Sequence, residues 1–124
     1  VIVDNHERRM IMSKGTDLIT AERERQMTKE GWTAAHDDEH TDGELAVAAA
    51  CYAVAGLPDK VVIDCDETRI SGHGYDRYLG GDAWPWDEHG TDKREKHDRL
   101  RRLTIAGALI AAEIDRLLRQ VEGD

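Results

Sequence analysis

The chain has 124 residues, 40% of them hydrophobic and 35% charged, with a formal charge of −9. That length predicts one domain with a modest core. The acidic balance excludes a nonspecific grip on a nucleic-acid backbone, which needs excess positive charge, and no run approaches the ~20 apolar residues of a membrane span.

The opening "VIVDNHERRMIMSKG" starts on Val1 and reads like a bacterial or phage frame opened at a GTG codon, with Met10 or Met12 as the biological start. Residues 1–14 have no helical or strand period. They are expected to be a disordered or non-native extension ahead of a single helical domain over 15–122. No apolar stretch there resembles a signal peptide. Cys51, one of two cysteines, lies in an alanine-rich run that predicts a buried thiol in a reducing compartment. A cytoplasmic location in a bacterial host is the expectation.

Residues 16–30, "TDLITAERERQMTKE", are rich in helix formers, with Thr16 or Asp17 as the cap and Gly31 as the stop. Leu18, Ile19 and Met27 are its only strong apolar residues, so a thin stripe is expected to be buried. Residues 42–55, "DGELAVAAACYAVA", form a second helix, apolar on nearly every side, which places it between neighbours. Gly56 and Pro58 stop it. Residues 57–90 are expected to be an irregular insertion: "KVVID" suits a short strand but has no clear partner. Trp84 and Trp86, around Pro85, are expected to pin this loop onto the helices. In the last helix, capped by Asp92 with Glu95 three residues on, apolar positions fall at Leu100, Leu103, Gly107, Ile110, Ile114, Leu117 and Val121. That alternating three-and-four spacing is a bundle seam. The expected fold is all-α: three main helices and a long irregular insertion. Such a set is thin for a monomer, so a homo-oligomeric bundle seamed by the last helix is expected.

The stretch "EGWTAAHDDEHTDGEL", residues 30–45, concentrates potential chemistry. His36 and His40 are four apart, and on a helix they would share a face with room for a divalent ion. Asp37, Asp38 and Glu44, with Asp42, add hard oxygen donors suited to Mg²⁺ or Mn²⁺. A bland reading stands beside this one. Thr41 with Glu44 is a capping box before an apolar run, and Asp42 then favours the helix dipole. Capping does not account for His36, Asp37, Asp38 and His40. Trp32 reads either as a core anchor or as an aromatic wall for a base.

Residues 93–102, "KREKHDRLRR", carry six basic and two acidic side chains. Arg94 and Arg101 are expected to be solvated, whereas Lys96, Arg99 and Arg102 are candidates to face the acidic run or a ligand's phosphates. Glu113, beside the seam, reads as an arginine's partner or as a metal-site carboxylate opposite Glu22 or Glu44. For Glu22 the default is an exposed pairing with Gln26 or Lys29.

The segments "AERERQMTKEGWTAAHDDEHTDGELAVAAACYA", "WPWD" and "RRLTIAGALIAAEIDRL" resemble a small module encoded by many tailed phages and prophages, also attached to Ead-like accessory proteins. The likeness runs from Leu18 to Tyr52 and from Trp84 to Leu117. Residues 57–82 depart from it. The order of "DGELAVAA" and "AEIDRLL" is also similar to MazG-type all-α nucleotide pyrophosphatases, which pair acidic helices to hold Mg²⁺ over a triphosphate. That likeness implies catalytic roles for Glu44 and Glu113, although Thr41 and Arg116 stand where the pattern has acids.

Three readings follow for a phage accessory protein. It binds a phosphorylated, nucleotide-like ligand and hydrolyses it with a metal. It sequesters a host nucleotide signal without turnover. Or it is a structural, protein-binding adaptor in which the polar run only caps and connects.

Overall fold

The computed structural model describes residues 13–55, 69–72, 75–78, 84–86 and 93–123. The first helix, α1, spans Lys14–Thr28. It starts two residues before Thr16, because the Ser13 hydroxyl accepts the Thr16 amide at 3.1 Å and caps the end in place of Thr16 or Asp17. Gly31, with φ +74°, turns the chain away after it. A single turn, α2, follows at Ala34–Asp37. The alanine-rich α3 spans Glu44–Val54. Its capping box does not form: Gly43 (φ +83°) occupies the cap without a side-chain bond, and Glu44 curls back to accept the Asp42 amide at 2.6 Å.

Part of the insertion is regular. β1 (Arg69–Gly72) and β2 (Tyr75–Tyr78) form an antiparallel hairpin, with Arg69 opposite Tyr78 and Gly72 opposite Tyr75. The "KVVID" strand lies outside the described residues. A short 3₁₀ turn at Arg94–Lys96 precedes α4, Arg99–Gly123. The cap expected at Asp92 also lies outside the described residues, and the helix begins after Asp98, whose Oδ1 accepts the Arg101 amide at 2.8 Å. The fold is all-α with three main helices, as the periodicity predicts.

The core lies between α3 and α4. Leu45, Ala48, Ala49 and Tyr52 pack on Ile105, Ala106, Leu109 and Ala112, with Trp32, Trp84 and Trp86 against them. Cys51 is buried there, as its surroundings predict. Alanines on both helices permit close backbone approach, and α4 buries Ala106, Ala108 and Ala112 together with Ile105 and Leu109. The larger seam residues face outward: Leu103, Ile110, Ile114, Leu117 and Val121 are all at least 43% exposed.

On α1 the expected apolar stripe is not the buried one. Leu18 and Met27 are exposed, and the buried residues are Glu22, Arg23 and Gln26. Ile19 alone reaches deep, packing over Gly107 of α4, where an added Cβ would lie 2.5 Å from its Cδ1. Gly107→Ala gains helix propensity, about 1 kcal/mol, but overpacks a contact that typically costs 1–3 kcal/mol. We therefore expect net destabilisation in urea denaturation. Ile19→Ala should cost less in the Gly107→Ala background than in the wild type, and equal costs in both would remove the contact from the account.

Candidate functional site

The site is built on Glu22, which is 2% exposed. Its Oε1 accepts Arg25 Nε at 2.8 Å and a guanidinium nitrogen of Arg101, while its Oε2 accepts Arg25 Nη2 and Gln26 Nε2, both at 3.1 Å. Burial on its own raises this carboxyl, but the hydrogen bonds from Arg25, Arg101 and Gln26 outweigh it and hold the group below the ordinary glutamate value. Glu22 is thus a buried, ionised hub joining α1 to α4, not the exposed partner of Lys29. Arg101, read from sequence as solvated, is one of its ligands.

The acidic run is divided among separate partners. Asp37, 1% exposed, pairs with the buried Arg23 of α1. Asp38 pairs with Arg119 of α4 at 2.8 Å, and the Arg119 hydrogen bond holds its carboxyl below the ordinary aspartate value. His40 Nδ1 lies 3.3 Å from Glu44 Oε2. Among the described residues no three His, Cys, Asp or Glu side chains gather to hold a metal ion. The aspartates of the run are taken up by ion pairs instead.

What does converge is rings. Because α2 ends at Asp37, His36 and His40 do not share a helix face. They meet each other edge-on instead, with centroids 5.2 Å apart. Trp32 lies parallel to His36 within 7° at 6.5 Å. His40 abuts Trp86 at 5.1 Å, Trp86 abuts Trp84 at 5.4 Å, and Trp84 abuts Tyr52 at 5.6 Å. These six rings form a continuous chain. They line a cavity of about 350 Å³ whose other walls include Glu22, Arg25, Gln26, Glu30, Lys93 and His97, within the size range of small-molecule sites. His97 is held below the ordinary histidine value, by burial first and then by Arg101. Arg94 lies over the Trp84 ring at 5.5 Å, a cation–π contact in place of the expected solvation.

Two buried polar atoms in these walls have no partner among the described residues: Gln26 Oε1 and Trp86 Nε1. Native structures rarely leave such atoms unpaired. A second hollow, about 400 Å³ between α1 and α4, has no ring in its walls. Its Arg25 and Arg101 are both already paired with Glu22.

Of the residues singled out from sequence, Glu22, Trp32, His36, Asp37 and His40 line the ring cavity. Asp38, Glu44, Lys96, Arg99, Arg102 and Glu113 do not. Arg99 donates to the carbonyls of Ala53 and Ala55 and closes the end of α3, Arg102 donates to the Arg94 carbonyl at 2.6 Å, and Glu113 pairs with Arg116. Lys96 is exposed. Sequence reasoning missed Gln26, Tyr52, Lys93 and His97. The spacing of Glu22 and Gln26 four apart on one helix face was the available signal. Compared with known proteins, the chain matches no family model, no curated protein and no solved structure.

The Glu22 hub gives a direct test. Glu22→Ala leaves the buried Gln26 amide and two part-exposed guanidinium groups without their acceptor and should cost about 1–3 kcal/mol in denaturant at pH 7. The folded carboxyl is lowered, so its contribution is full above the unfolded value near 4.5 and is lost as pH falls through the folded one. The stability gap between wild type and Glu22→Gln should therefore narrow as pH drops below that value, and a constant gap would contradict the assignment.

Proposed function

We propose that this chain binds a nucleotide-like small molecule, its flat base against the ring chain and its phosphates toward Lys93, and holds it without turnover. The observation that carries this reading is one cavity lined by six aromatic rings and by Gln26, with Gln26 Oε1 and Trp86 Nε1 buried and unpartnered among the described residues. Bases stack on such rings whatever their sequence. Glu44 and Glu113, the pair implied by the pyrophosphatase likeness, lie outside the cavity and already have partners, which favours binding over hydrolysis. In the phage-module setting this role is sequestration of a host nucleotide signal in the bacterial cytoplasm.

A second copy of the chain belongs to the same proposal. Leu103, Ile110, Ile114, Leu117 and Val121 leave an apolar seam uncovered along α4. An antiparallel copy would cover it and set the arginine-rich first turn of one α4 near Asp115 and Glu122 of the other.

Titrating the protein with adenosine 5′-monophosphate while following tryptophan fluorescence should show saturable quenching. Trp32→Ala should weaken binding by 1–3 kcal/mol, with no pyrophosphate released from nucleoside triphosphates in Mg²⁺. Absence of binding by any nucleotide would end the proposal, and release of pyrophosphate would replace it with the hydrolytic reading. For the seam, light scattering should give a dimer for the wild type and a monomer for Ile110→Glu with Ile114→Glu. A monomeric wild type would refute the pairing.

A further inference from the structure

We propose that Gln26 is the specificity-determining residue of the ring cavity and selects a base that presents an N–H donor, adenine being the simplest case. The inference rests on the nucleotide-binding reading above and names the class of base within it. Gln26 is 0% exposed. Its amide cannot turn over freely: Nε2 donates to Glu22 Oε2 at 3.1 Å, and the flipped amide would set two oxygens against each other. Arg25 and Arg101 hold the Glu22 carboxylate itself. The outcome is an oriented acceptor, Oε1, fixed in a wall of the cavity with no partner among the described residues.

A buried acceptor of this kind discriminates by penalty. A ligand with a donor there satisfies it, whereas one without leaves it desolvated and unpaired. Trp86 adds the opposite requirement, because its unpartnered Nε1–H calls for an acceptor. An aminated nitrogen heterocycle offers both groups, an exocyclic N–H and a ring nitrogen. A base ring with no N–H meets only the second.

The test compares adenosine 5′-monophosphate with purine riboside 5′-monophosphate, which keeps the ring, sugar and phosphate but lacks the amine. Isothermal titration of the wild type should show binding at least tenfold weaker for the unaminated analogue. In Gln26→Leu the two affinities should converge to within about twofold. Equal affinities in the wild type would overturn the inference and leave the nucleotide-binding reading standing, with Gln26 Oε1 unread by the ligand. Binding of neither compound would overturn the inference, and the reading beneath it would fall only if no other nucleotide bound either. The wild-type comparison decides the matter even if Gln26→Leu fails to fold.

Discussion

The Glu22 carboxylate sits where α1 meets α4, reached by two guanidinium groups and one amide. A buried charge survives only when its oxygens are met by donors, so this one side chain dictates the position of Arg25, Gln26 and Arg101 together. The register of α1 on α4 follows, and Ile19 over Gly107 locks it sterically. Part of the cavity wall is made by the same contacts. Polar burial thus does on α1 what apolar burial does between α3 and α4.

The helical class and the three main helices were legible because their periods and composition are strong locally. What the sequence could not show was which of two stripes on α4 is covered within one chain. The large residues make the better seam by pattern, yet the alanine stripe fits the alanines of α3, and close packing decided. The insertion was read as irregular because its strand candidate lacked a partner. The hairpin that does form lies further along, across "RISG" and "YDRY".

The candidate site was half legible. The stretch 30–45 reads as a polar concentration in which capping leaves His36, Asp37, Asp38 and His40 unexplained, and three of these, with Trp32, line one cavity. Their pairing is not legible locally, since the cations that meet the aspartates, Arg23 and Arg119, sit 14 and 81 residues away. No local spacing rule reaches that far. Gln26 reads from sequence only as a partner for an exposed Glu22, and burial of that carboxylate is what gives it a fixed direction.

The two aspartates of "HDDEH" have a consequence beyond charge balance. Asp37 is fastened inward to α1 and Asp38 sideways to α4, so the short turn carrying His36 is moored on two sides before any visitor arrives. The entropy of ordering that wall is lost during folding and need not be lost again on capture. Such pre-organisation favours long residence over rapid exchange, and the moorings differ in strength. The outer one, partly open to solvent, loosens as ionic strength rises, so salt would free one edge of the wall while the inner anchor stays fast.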